Sequence, residues 1–350
     1  MTREILKTAI RTFPPAYFAL PMATGIITIA SFTLGYEQVS DILYVINNLE
    51  MGVLGVVLIL RLLFYFTDFR NDLSSHTEGA GFLTIVAALC LFGSIQVLLR
   101  DNPNMAMLGW CLAFVVWILL SYSFFILISY KEKKPSLQHG INGSWLLMVV
   151  AVQALSISGD IIVPYFGILP QMRLFITLSL FLLGVLFYLI IIVLIFYRTA
   201  FLPMPPGEFR HSYWINMGAA AISAFAGATL VKDMAGVPEF EDFIPILKIF
   251  TLLFWVGGTW WIPIIGIWEF WKRTPVQVRY SAGYWSLVFP LGVYTVCTWH
   301  MADAIELPSL KHISEIFIFI AWAAWLITYI RMGVQLVKIF SGQKRIPPIS

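Results

Sequence analysis

Long apolar stretches alternate with short polar breaks along almost the whole of the 350-residue chain. Runs of about 18 or more apolar residues, bounded by charges or by Pro, Gly and Asn clusters, predict membrane-spanning helices. Ten such runs lie near residues 13–35, 41–66, 79–99, 104–130, 143–164, 169–199, 211–232, 243–271, 281–303 and 312–340. The odd-numbered runs contain small or helix-breaking residues inside the span: Pro21 and Gly25, Gly93, Gly159, Gly218 and Gly227, Pro290 and Gly292. The even-numbered runs are bulkier, as in LFLLGVLFYLIIIVLIF of the sixth, and carry the few embedded charges, Glu50, Arg61 and Glu269.

Composition supports the same solvent. Apolar residues make up 59% of the chain, charged residues only 12%, and the mean hydropathy is +0.84, whereas soluble domains carry roughly 25% charged residues. The predicted class is an all-α integral membrane protein, with residues 1–350 forming one transmembrane domain and short tails of about 1–12 and 341–350. The net charge of +3 and the lack of a long basic run argue against nucleic acid as a partner. Cys90, Cys111 and Cys297 lie in apolar stretches without C-x-x-C spacing and read as small packing residues. The first apolar run exceeds signal-peptide length and lacks an A-x-A site, so it reads as a retained helix. No G-x-S-x-G, H-E-x-x-H or P-loop motif occurs, so no catalytic site, metal or cofactor is expected.

Charge then orients the spans. With the N-terminus inside, 17 of the 22 Lys and Arg residues fall on the inner side, the asymmetry that cytoplasmic segments carry. Both termini are therefore expected in the cytoplasm. The Asn142-Gly143-Ser144 sequon falls on that inner side and reads as chance.

Each odd-numbered span also opens on a small residue followed by aromatics: Ala16-Tyr17-Phe18, Gly81-Phe82, Ser144-Trp145, Ser212-Tyr213-Trp214 and Gly283-Tyr284-Trp285. The successive intervals from Phe18 to Phe82, Phe82 to Trp145, Trp145 to Trp214 and Trp214 to Trp285 are 64, 63, 69 and 71 residues. Near-equal periods predict five helical hairpins inserted the same way round, although aromatics also gather at membrane interfaces for their own reasons. Small residues suit backbone packing or a cavity, and bulky ones suit lipid, so five odd helices should lie inside five even ones. A space within that ring would be lined by neutral groups such as Thr24, Thr28, Gln153, Ser156, Asn216, Ser286, Thr295 and Thr298. A lining without acids admits anions, and one without fixed bases releases them quickly.

The segments FPPAYFALPMATGIIT, NGSWLLMVVAVQALS, YWINMGAAAISAFAG, TWWIPIIGIWEFW and YWSLVFPLGVYTVCT resemble the tellurite-resistance/C4-dicarboxylate transporter family, over residues 13 to about 340. That family includes TehA-type bacterial proteins, the yeast malate permease and the slow anion channels of plants. The resemblance implies five hairpins around a central pore, a homotrimer in the cell's plasma (inner) membrane, and small inorganic or dicarboxylate anions as partners. It also implies that a Phe in the motif Y-W-S-x-x-F-P plugs the pore, which falls on Phe289 here. Phe289 lies about eight residues, or about 12 Å, into a core of about 30 Å, and Pro290 beside it favours a bend. Phe18, Pro21, Thr24, Gly25, Phe82, Gln153, Asn216, Gly218, Ser286, Pro290 and Thr295 are the candidate lining and kink positions. The long charged extensions that the plant channels use for phosphorylation control have no counterpart in the short tails.

Outside this set, His300 and Asp303 at i and i+3 could form a proton-linked pair or an interfacial hydrogen bond. Asp160 and Lys232-Asp233 sit where odd helices emerge and either shape the outer mouth or are simply solvated. Glu50 and Arg61, 11 residues apart, face one way; Arg61 can snorkel, whereas Glu50 needs a proton or a partner. The expectation is an anion channel gated by a phenylalanine or, alternatively, a proton-coupled malate permease. An intramembrane enzyme is a remote third reading.

Overall fold

The computed structural model describes residues 2–204, 211–271 and 280–341. Ten long helices follow the predicted spans: α1 (Ala19–Thr33), α2 (Glu37–Phe64), α3 (Thr84–Arg100), α4 (Pro103–Ser129), α5 (Leu147–Ile162), α6 (Pro170–Phe201), α7 (Trp214–Met234), α8 (Ile244–Trp271), α9 (Trp285–Ala304) and α10 (Lys311–Phe340). Among the described residues nine of these segments are long and apolar enough to cross a bilayer. The tenth, α9, is held inside the other helices and carries His300 and Asp303 near its end, which lowers its hydropathy. Its 20 residues still give about 30 Å of length. Arg210, Lys272, Arg273, Arg279, Lys344 and Arg345 of the charge count, the tail from 342 onward and the Glu269 side chain lie outside the described residues.

The helices form two concentric rings. In the inner one each odd helix packs on the next, α1 on α3, α3 on α5, α5 on α7 and α7 on α9, and α9 returns to α1. Each even helix packs on the odd helix before it, and also touches the following odd helix, so it covers the joint between two inner helices. Burial separates the rings: 72–94% of the spanning windows of the first four odd helices is buried, against 22–39% for the even helices. The even helices turn Leu, Ile, Val and Phe outward, as at Leu63, Leu119, Leu186 and Val337. Such a surface is stable only in a solvent as apolar as itself.

The repeated small-then-aromatic openings become five single turns of 3₁₀ helix: Pro15–Phe18, Gly79–Leu83, Gly143–Leu146, His211–Tyr213 and Ala282–Tyr284. Each touches its neighbours, and the last meets the first, so they close a collar at one end of the inner ring. The glycines have a steric reason here. A Cβ at Gly143 would collide with the Ser212 main chain, and one at Gly79 with the Leu73 carbonyl. The aromatics lock the collar: Trp145 Nε1 donates to the His76 carbonyl at 2.7 Å, and Trp285 Nε1 to the Tyr280 hydroxyl at 2.8 Å. Among the described N-terminal residues, Thr2–Arg11 forms a further short helix, tied to the body by an Arg11–Asp68 ion pair at 3.2 Å.

Candidate functional site

At the end opposite the collar the inner ring opens into a cavity of about 430 Å³. Every odd helix contributes to its wall: Ile26 and Ile29 from α1, Cys90, Leu91 and Ser94 from α3, Ala154 and Ile157 from α5, Ile222 and Phe225 from α7, and His300 from α9. Toward the rim the wall becomes charged, with Asp160, Arg173, Lys232 and Asp233. Arg173 Nη1 donates to Asp233 Oδ2 at 3.3 Å and to the Asp160 main-chain oxygen at 3.2 Å. The Asp160 and Lys232-Asp233 positions are thus part of the cavity, as the mouth reading expected. Arg173, on an even helix, was not singled out from sequence; its signal was a lone basic residue 13 positions after Asp160 on the sparsely basic side.

Toward the collar the same ring is shut. Phe289 is 1% exposed. It lies 11 residues, about three helical turns, before His300, and so occupies the same face of α9 as that cavity residue. Around it the inner helices approach closely. A Cβ on Gly218 would lie 2.9 Å from Pro290 Cγ, and one on Gly292 would lie 2.8 Å from Ile26 Cγ2. Proline at 290 also removes the donor that would serve the Ser286 carbonyl within the helix. Asn216, wholly buried two residues before Gly218, has no hydrogen-bond partner for either side-chain polar atom among the described residues.

The neutral polar groups expected to line the ring mostly do something else. Thr24 Oγ1 donates to Glu50 Oε1 at 3.2 Å and accepts from Trp325 Nε1 at 3.0 Å, reaching α2 and α10. Gln153 Nε2 donates to the Phe181 carbonyl of α6 and to Ser223 Oγ of α7. Ser156 Oγ donates to the Thr177 carbonyl at 2.8 Å, and Thr298 Oγ1 accepts from Trp255 Nε1 at 2.9 Å. These side chains fasten the inner ring to the outer one, because a buried polar group without water must find a partner. Thr28 and Thr295 bond back to carbonyls of their own helices. Phe18 sits in the first collar turn against Phe13, and Phe82 packs on Phe69 with the rings tilted and their centroids 4.6 Å apart. The Pro21 carbonyl accepts from Asn47 Nδ2 at 2.6 Å, and Gly25 packs against Leu91. Ser286 lies at the start of α9, 9% exposed.

One charge reading is corrected and one is given its surroundings. Asp303 pairs with Lys311 at 2.7 Å, while the His300 ring lies over Phe225 with centroids 5.0 Å apart, so no hydrogen bond joins His300 to Asp303 among the described residues. Arg61 does not snorkel: it is 1% exposed and donates to the Phe13 carbonyl and the Asp72 carboxylate. Glu50 has Thr24 on another helix as a partner. Near the collar, outside the spans, burial and the positive charges of Lys131 and Lys134 lower the pKa of His76.

A closed ring of five buried helices, sheathed in lipid-facing ones and hollowed from one side, defines a multi-pass membrane protein. The comparisons give the solute class. Residues 12–333 match the family described as voltage-dependent anion channel, SLAC1, and the chain belongs to that family. It is similar over 97% of its length to an uncharacterized transporter of Methanocaldococcus jannaschii, at 23% identity and covering 98% of that protein. An uncharacterized membrane protein of Mycobacterium tuberculosis is 36% identical over 39% of this chain and 69% of its own. A sulfite efflux pump of Arthroderma benhamiae is 23% identical over 92% of this chain and 90% of its own. The resemblance seen in the sequence motifs holds, and the protein is an anion transporter rather than an enzyme.

Proposed function

We propose that the chain, acting as one transmembrane unit, is a plasma-membrane conduit that passes small anions along the axis of the odd helices and is closed at rest by Phe289. The observation that carries this reading is the cavity: all five odd helices build it, and it faces the buried Phe289 along one stripe of α9. A phenyl ring in a narrow apolar passage blocks hydrated ions by excluding water. Gly218 and Pro290 set the width at that level. Ser286 and Asn216 are the polar groups of the reading that remain available there. Thr24, Gln153 and Thr295 keep a structural part in it, and Phe18, Phe82, Pro21 and Gly25 shape the helices that carry the passage.

The excess of Lys and Arg on the collar side supports cytoplasmic termini and a cavity open to the exterior. The broad apolar flanks of the even helices support assembly as a homotrimer with one conduit per subunit. The sulfite efflux pump among the relatives favours a small inorganic oxyanion; malate and other C4-dicarboxylates are the competing class.

The test is flux from liposomes containing the purified protein, measured in parallel for sulfite, malate, nitrate, chloride and potassium. Anion release above that of protein-free liposomes, without potassium release, is expected. Release of potassium at the same rate, or of no anion at all, contradicts the reading.

A further inference from the structure

We infer that the rim of the cavity is a subsite for an oxyanion that carries a proton, held by the Asp160 carboxylate. This rests on the conduit reading and specifies the class of anion. Asp160 is 5% exposed and lines the cavity. Neither of its carboxylate oxygens has a hydrogen-bond partner among the described residues.

The donors around Asp160 are committed elsewhere. Thr177 Oγ1 donates to the Arg173 carbonyl at 3.1 Å, and Thr229 Oγ1 to the Ala226 carbonyl at 2.9 Å. Arg173 Nη1 serves the Asp233 carboxylate and the main-chain oxygen of Asp160, not its side chain. The other titratable groups facing this space are Lys232 on α7, His300 on α9 and Cys90 on α3. α1 contributes only Ile26, Ile29, Phe32 and Thr33, and Trp110 of α4, packed beside Gly159, donates through Nε1 to the Leu155 carbonyl.

A buried acceptor left without a donor costs free energy that a ligand can recover by supplying one. Chloride and nitrate bring charge but no proton, so they meet the same Lys232 and Arg173 but gain nothing except repulsion from an ionised Asp160. An oxyanion with an O–H group, such as hydrogen sulfite or hydrogen malate, brings both. Its proton lies between a ligand oxygen and Asp160, while its negative oxygens face Lys232 and Arg173. The complex needs one proton, which the anion brings, and no covalent change. Its effect is selectivity: the rim favours anions that arrive with a proton.

Liposome flux of hydrogen sulfite and hydrogen malate, against chloride and nitrate, tests the subsite. In Asp160→Ala the ratio of hydrogen sulfite to chloride flux should fall by about tenfold or more, the worth of one hydrogen bond to a charged group, and Asp160→Glu should restore part of it. Removing an unpaired buried acceptor leaves the fold little to lose. In the unaltered protein, the ratio at fixed total sulfite should fall as rising pH strips hydrogen sulfite of its proton, which gives a reading independent of any variant. A ratio unchanged in Asp160→Ala, or insensitive to pH, overturns the subsite while leaving the conduit intact. No flux of any of the four anions overturns the conduit reading itself.

Discussion

The two halves of the inner ring are built from the same five helices and packed in opposite ways. Toward the collar, Gly218 meets Pro290 and Gly292 meets Ile26 with no room for a side chain, and Phe289 is buried among them. Toward the other end the same helices carry Ile29, Ala154, Ile222 and His300 around an open cavity, with charge toward the rim. Glycine and proline bring backbones together, and β-branched and charged residues hold them apart. At the level of Phe289 the described contacts between inner helices are made by apolar groups, which suits the proposed passage, where anions are to be held back without being bound.

Adding volume to each half should break or sharpen this contrast. Gly218→Val in the closed half forces the rigid Pro290 ring to move, because a first carbon already lies 2.9 Å from it. We expect a stability loss of about 1–3 kcal/mol, the usual cost of overpacking a dense core, read as a lower thermal transition in detergent. Ala154→Val in the open half grows into the cavity and should cost about 0.5 kcal/mol or less. Equal losses at the two positions would erase the distinction between the halves.

The hairpins were legible in the sequence because lipid imposes a strong pattern: apolar length, basic residues on one side, and small residues where backbones meet. All ten helices lie within a few residues of their predicted spans. The repeat of small and aromatic residues was visible too, but its meaning was not, since a collar exists only when five distant segments come together. The direction of individual side chains was illegible for a related reason. A helix buried on nearly every face, as α5 and α7 are, has no polar side to set its rotation. Nothing in the sequence therefore told that Gln153 turns to Phe181 and Ser223, or that Thr24 turns to Glu50 and Trp325. The i, i+3 spacing of His300 and Asp303 was a true helical neighbourhood, yet Lys311 at the start of the next helix took the carboxylate.

The central claim is that one phenyl ring closes the passage, and the flux of Phe289→Ala in liposomes tests it most directly. On the proposed reading, truncating the ring leaves a void where Phe289 is buried, below the cavity. Anion flux should rise by at least about tenfold, which takes only about 1.4 kcal/mol off the barrier, and potassium should remain excluded. Flux equal to that of the unaltered protein, from a variant that folds normally, would contradict the account.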